Sequence, residues 1–209
     1  MAGTAENSFI VERPFDSMDY LRRVELTPAP HGTDPVALFV VGGPLSGKST
    51  VLAYLRSKGD ALVPENAVDV DPYAVREMLP EWTELVAARE PSAAAILFEE
   101  TCHVAASIVA RAVEQELNLI LDGIGDGPPG VFVEQLERFH KIGYGVRILL
   151  VDAPIDEALD RNQERAGREG RLIQPELLRE LHVECVRRHK EWRELPWIKE
   201  FQVYSGSSR

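Results

Sequence analysis

Apolar residues follow two alternating rhythms along this 209-residue chain. Val36–Val41 is an unbroken β-branched and aromatic run that stops at Gly42-Gly43, as expected of a strand buried on both faces. Similar runs at 67–70, 117–121, 146–151 and 198–204 predict four more strands. Between them the spacing turns helical, at 49–58, from Pro72 onward, at about 155–165 and at 175–194. A segment at 131–142, closed by Gly143, reads the same way. A long amphipathic helix is expected over about 93–116, with Leu97, Val104, Ile108 and Ala112 on one stripe. This alternation predicts an open, mainly parallel α/β sheet. Ligands in such sheets bind at the carboxyl ends of the strands. Residues 1–35, punctuated by Pro14, Pro28, Pro30 and Pro35, read as an N-terminal extension to a domain over 36–209.

The candidate chemistry falls at those strand ends. After the first strand comes Gly42-Gly43-Pro44-Leu45-Ser46-Gly47-Lys48-Ser49-Thr50, which satisfies G-x-x-x-x-G-K-[ST]. Glycines let the backbone curl so that its N–H groups face phosphate oxygens, and the following helix adds its positive end. Lys48 is expected on the β- and γ-phosphates, with the Ser49 hydroxyl on Mg²⁺. A Gly-rich turn with a capping serine would not require a lysine there. The domain is therefore expected to have the three-layer α/β fold of a P-loop NTPase of the kinase type, with a five-stranded, mainly parallel sheet in 2-3-1-4-5 order, binding ATP or GTP.

The second strand ends in Asp69-Val70-Asp71-Pro72. Two residues apart on an extended chain, Asp69 and Asp71 share a face. Asp71 before a proline is also an expected helix N-cap. Beside a phosphate loop the same carboxylate can orient an acceptor hydroxyl, as phosphoryl transfer requires. Arg76, in the same helix, is either a solvated charge or a contact for an anionic acceptor. The third strand runs into Asp122-Gly123-Ile124-Gly125, where Asp122 is placed to join the Mg²⁺ shell and the glycines allow close approach to a substrate.

Four arginines, Arg161, Arg165, Arg168 and Arg171, crowd one later stretch. They suit either a charged surface helix or a mobile lid that brings guanidinium groups to the transferring phosphate. Arg165 and Arg171 are the expected catalytic pair. His182, Cys185 and His189 share a helix face but lack a fourth ligand, and read as packing rather than a metal site.

Charge narrows the partners. With 23 Lys+Arg against 34 Asp+Glu the formal charge is −11, the wrong sign for a general nucleic-acid coat or a basic membrane-surface protein. A locally basic cleft for a small phosphorylated ligand remains compatible with that balance. Two cysteines, Cys102 and Cys185, make no disulfide framework. No apolar stretch reaches spanning length, and the expectation is a soluble, cytoplasmic protein.

From residue 36 onward the chain resembles the zeta toxin family of P-loop kinases. The likeness rests on GGPLSGKST, VDVDPYAVREMLPEW, LNLILDGIGDG and GYGVRILLVDAPIDEALDRNQERAGREGR, in that order. The resemblance implies phosphorylation of the sugar 3′-hydroxyl of UDP-N-acetylglucosamine by ATP or GTP with Mg²⁺, and a small antitoxin as partner. It also implies Asp71 as the catalytic carboxylate, Lys48 and Ser49 on phosphate and magnesium, and Arg165 and Arg171 as lid arginines. Substrate contacts are expected at Asp69, Arg76, Asp122 and Gly123, and the resemblance adds the 124 position, where Ile124 replaces the family's usual threonine. An acidic residue on the preceding helix is matched loosely by Glu99 or Glu100, with Glu100 taken as the substrate contact. The rival readings are a kinase of another hydroxyl metabolite, an antibiotic or a polynucleotide 5′ end, and a nucleotide-binding protein without turnover.

Overall fold

β1 (Val36–Val41) forms the middle of the sheet, because both of its faces are apolar and both are covered. In a computed structural model, which describes residues 33–90, 92–123, 130–169 and 172–205, it is flanked by β3 (Asn118–Asp122) and β4 (Gly145–Asp152). β2 (Ala67–Val70) and β5 (Glu200–Ser205) take the edges, giving the order β2-β3-β1-β4-β5 with every pair parallel. The expected strand order and α/β class are those observed.

Alternate residues of β1 feed two cores. Leu38 and Val40 pack with Val51 and Leu55 of helix α1 (Lys48–Ser57) and with Leu62 and Val63. Ala37, Phe39 and Val41 face the opposite layer, which includes Val75 and Trp82, Val104 and Ile108, Leu136 and Phe139, and Cys185 and Trp192. Those residues come from α2 (Pro72–Glu77), α3 (Pro80–Ala87), α5 (Phe98–Glu114), α6 (Val131–Lys141) and α8 (Pro175–Arg193). Parallel strands require crossovers, and the crossover helices on both faces make the three layers.

Three helices differ from expectation. The long amphipathic segment is broken at Leu97 into α4 (Ala93–Ile96) and α5, although its stripe of Leu97, Val104, Ile108 and Ala112 is buried as expected. The helix opening at Pro72 stops at Glu77 and a new one starts at Pro80. The residue before a proline is pushed out of the helical region, and Leu79 accordingly sits at φ −71°, ψ 128°. Helix α7 (Ile155–Glu169) runs four residues beyond Arg165. The extension expected over residues 1–35 lies outside the described residues except for 33–35, where Asp34 pairs with Lys199 and the Pro35 carbonyl accepts from Gly145 N–H. Among the described residues no helix is long and apolar enough to cross a membrane.

Candidate active site

Register puts the chemistry at one edge. Val40 pairs with Asp122, Val41 with Leu150 and Val70 with Leu121, so β1, β3 and β2 deliver residue 42, Asp122 and Asp71 side by side at their carboxyl ends. The phosphate loop begins there. Gly42 approaches β4 so closely that a Cβ on it would lie 2.4 Å from the Val151 carbonyl oxygen. Ser46 N–H donates to the Gly43 carbonyl at 3.2 Å and curls the loop, and α1 begins at Lys48 after Gly47. Gly47 supplies no side-chain cap, so the N–H groups of the first turn keep their capacity for an anion. Lys48 Nζ lies back across the loop, donating to the carbonyls of Gly42 and Gly43 at 3.3 Å each.

Two side chains from distant elements clamp this loop. His182 of α8 is only 6% exposed, and its ring lies where a Gly43 Cβ would stand, 2.3 Å from that point at Cδ2. Its Nε2 is 2.7 Å from the Pro44 carbonyl, so Nε2 carries the hydrogen and donates. Burial, with Lys48 nearby, lowers the pKa of this ring from its usual value and favours the neutral form. The expectation of ordinary packing for this helix face holds for Cys185, which is buried with Leu178 and Trp192, and understates His182. His189 Nδ1 is taken up by the Val186 carbonyl, and the described residues contain no group of three or more His, Cys, Asp or Glu able to hold a metal.

The second clamp is Arg161 of α7. Its Nη1 donates to the Leu45 carbonyl at 3.0 Å, and its Nη2 pairs with Glu157 at 3.0 Å. Leu45 has φ +62°, a left-handed conformation that costs about 1–2 kcal/mol for a non-glycine residue, and the guanidinium helps to hold it. Arg161 of the arginine cluster is therefore in contact with the phosphate loop. Arg165, one turn on, is half-buried and its Nε has no hydrogen-bond partner. Arg171 lies outside the described residues, as does the side chain of Arg168. In the sequence, i, i+4, i+7 spacing marked the cluster, but nothing in it separated Arg161 from its neighbours.

The carboxylates differ sharply in surroundings. Asp122 has one oxygen, Oδ1, buried without a partner. Burial pushes its pKa up to about 6, opposed by the Lys48 charge and assisted by that of Asp71, so these three groups share one field. Asp71 is the N-cap of α2, its Oδ1 accepting from Tyr73 N–H at 2.8 Å. That contact leaves Oδ2 available. The two roles read from the sequence for Asp71 are thus compatible, one on each oxygen. Asp69 is held by both guanidinium nitrogens of Arg56 at 2.7 and 3.0 Å on an exposed surface. This ion pair ties Asp69 to α1.

Arg76 is buried rather than solvated, its guanidinium carbon 5.0 Å from the Tyr73 ring and 5.4 Å from the Trp82 ring. Glu100 stands half-buried in the first turn of α5. Gly123 N–H donates to the Val40 carbonyl at 3.0 Å and ties the end of β3 to β1. Ile124 falls outside the described residues. The residues present fit Mg²⁺: an unpartnered buried carboxylate oxygen on Asp122 and the exposed first-turn hydroxyl of Ser49 are hard oxygen donors. Magnesium characteristically takes few protein ligands and completes its shell with water and phosphate.

The Zeta toxin family model matches residues 19–205. Among curated proteins none matches the sequence. Among solved structures, the chain is similar to one from the PezAT chromosomal toxin-antitoxin system of the human pathogen Streptococcus pneumoniae. The two share 17% identity at a TM-score of 0.67, over 90% of this chain and 74% of the other. It is also similar to a chain of the AvrRxo1-ORF1:AvrRxo1-ORF2 structure with ATP, at 14% identity and TM-score 0.57, over 84% of this chain and 56% of that one. A chain of the Pnkp1/Rnl/Hen1 RNA repair complex matches at 20% identity and TM-score 0.52, over 81% of this chain and 50% of that one.

Proposed function

Because the chain belongs to the zeta toxin family, we propose that it transfers the γ-phosphoryl group of ATP or GTP to a hydroxyl of a UDP-sugar such as UDP-N-acetylglucosamine. The observation that supports this reading best is the convergence of Lys48, the unpartnered Asp122 Oδ1 and the half-free Asp71 carboxylate at one sheet edge. A protein that only binds nucleotide needs the first of these and has no use for Asp71.

In this reading the triphosphate lies on the loop N–H groups, and Lys48 leaves the Gly42 and Gly43 carbonyls for the β- and γ-phosphates. Asp122 and Ser49 hold Mg²⁺, which when bound neutralises charge on the phosphates. Asp71, fixed by the Tyr73 N–H, orients the acceptor hydroxyl and takes its proton on Oδ2. The acceptor oxygen bonds to the γ-phosphorus as the bond to the β–γ bridging oxygen breaks, and the nucleoside diphosphate leaves. Arg161 keeps the loop in shape and, with Arg165 and Arg171, supplies positive charge to the transferring group. Asp69, Arg76, Glu100, Gly123 and Ile124 line the acceptor side. A small antitoxin protein is the expected partner, by analogy with the PezAT system.

Incubation with labelled ATP or GTP and a panel of UDP-sugars tests the proposal. Labelled product should form from a UDP-sugar, and disappear in Lys48→Ala and in Asp71→Asn. Near-normal turnover in Asp71→Asn sinks the mechanism. Ile124 in place of a hydrogen-bonding threonine favours a second reading, a different hydroxyl metabolite as acceptor. Turnover with such a compound and none with UDP-sugars would establish it.

A further inference from the structure

Asn162 of α7 is wholly buried, at 0% exposure, a position that destabilises a side-chain amide unless both of its halves are bonded. Both are. Its Nδ2 donates to the Ile173 carbonyl at 2.7 Å, and its Oδ1 accepts from Ile173 N–H at 3.1 Å. The amide thus pairs with one residue as a neighbouring strand would. Among side chains of this size only an amide sets a donor and an acceptor side by side; a carboxylate lacks the donor and an apolar chain lacks both. Ile173 lies just before α8, and Gln174, the N-cap of α8, makes no side-chain cap bond. The entry into α8 is therefore fixed by Asn162 rather than by a cap.

Both of the helices joined in this way hold the phosphate loop, on consecutive residues. Beside Asn162 in α7, Arg161 donates to the Leu45 carbonyl at 3.0 Å, and its Nη1 lies 3.4 Å from the point a Gly47 Cβ would occupy. In α8, His182 meets the Pro44 carbonyl at 2.7 Å. His182 stands about 10 Å along the axis from the start of α8 at Pro175, and one turn before it Leu178 is fully buried, so a shift at the first turn of α8 carries to the ring. A single clamp would leave the loop free to pivot about one carbonyl. Two clamps fixed relative to each other set its shape, and with it the aim of the N–H groups that meet phosphate.

We propose that Asn162 is a positioning residue for the nucleotide: by locking the start of α8 to α7 it joins the Arg161 and His182 clamps into one support that holds the phosphate loop in its binding shape. This rests on the nucleotide-binding reading above and gives that loop a support lying outside it.

Calorimetric titration of a non-hydrolysable MgATP analogue tests this without reference to the acceptor. Asn162→Leu keeps the volume and removes both bonds, and Asn162→Ser keeps a hydroxyl able to make one. Affinity should fall about fivefold or more in Asn162→Leu and less in Asn162→Ser. Arg147→Met separates positioning from plain loss of stability, because Arg147 holds the Ala61 and Leu62 carbonyls from the end of β4 remote from the loop. That variant should lower the urea midpoint and leave affinity unchanged. In the Asn162→Leu, His182→Ala double mutant the loss of affinity should fall short of the product of the single losses by about threefold or more, because α8 freed at its start no longer presents the ring firmly. Wild-type affinity in Asn162→Leu overturns the proposal and leaves the nucleotide reading intact. So does a double mutant that follows the product of the single losses within about twofold. A wild type that does not bind the analogue overturns both. Should Asn162→Leu not fold, Asn162→Ser decides by the same two criteria. Analogue binding that depends on Asn162, without turnover of any UDP-sugar, supports this proposal and removes the acceptor.

Discussion

Replacing Gly43 by alanine tests the way α8 supports the phosphate loop. The added Cβ would lie 2.3 Å from His182 Cδ2 and 2.5 Å from Cγ and Nε2. Carbon atoms in contact sit about 3.5–4.0 Å apart, so ring or loop must shift by more than about 1 Å. The ring cannot swing away freely, because it is buried and its Nε2–H is bonded to the Pro44 carbonyl. Forcing a methyl into a packed site costs about 1–3 kcal/mol. Breaking the bond and leaving a buried donor unmet adds about 1–3 kcal/mol. Gly43→Ala should therefore lose about 2–6 kcal/mol in urea unfolding, and should bind MgATP more weakly because the loop is displaced. Removing the ring relieves the clash, so in the Gly43→Ala, His182→Ala double mutant the two losses should fall short of additive by at least about 1.5 kcal/mol. Gly43→Ala at wild-type stability, within about 0.5 kcal/mol, would refute the reasoning, as would strict additivity.

Three further outcomes follow from the charges. Asp122 has its folded-state pKa raised to about 6 from 3.8, so the folded ligand-free chain binds more protons than the unfolded one between those values and loses stability as pH rises through them. Asp122→Asn should thus stabilise the ligand-free protein above pH 6 by up to about 3 kcal/mol, with the gain fading below pH 4 and phosphoryl transfer impaired, read by urea melts and turnover. His182 has the opposite dependence. Its folded-state pKa is lowered, so below about pH 6.5 the unfolded chain takes up a proton that the buried ring refuses, and stability falls with pH from there; the wild-type minus His182→Gln difference in urea midpoint isolates it. Arg161→Ala should weaken nucleotide binding about tenfold or more by freeing the Leu45 carbonyl, measured by calorimetry, whereas the same change at the half-exposed Arg56 should not.

The site was unevenly legible. Short-range signals carried through: the loop motif, Asp71 before Pro72 as a cap and Asp122 at the end of an apolar strand each depend on residues within a few positions. Arg76 looked like a solvated helix charge because nothing local marks the rings of Tyr73 and Trp82 as its neighbours. The spacing of Asp69 and Asp71 was read correctly as alternation, but the Arg56 side chain that captures Asp69 comes from α1, across 13 positions of sequence.

By itself the sequence determined that a parallel sheet would form and that a phosphate loop and two carboxylates would fall at the carboxyl ends of its strands. Periodicity and motif spacing decide those things, and both are properties of neighbouring residues. Tertiary structure alone decided which side chains close on the loop. His182 reaches Pro44 across 138 positions and Arg161 reaches Leu45 across 116. Such contacts depend on how whole helices pack on the sheet, and a helical stripe reports that a face is buried without naming what it is buried against.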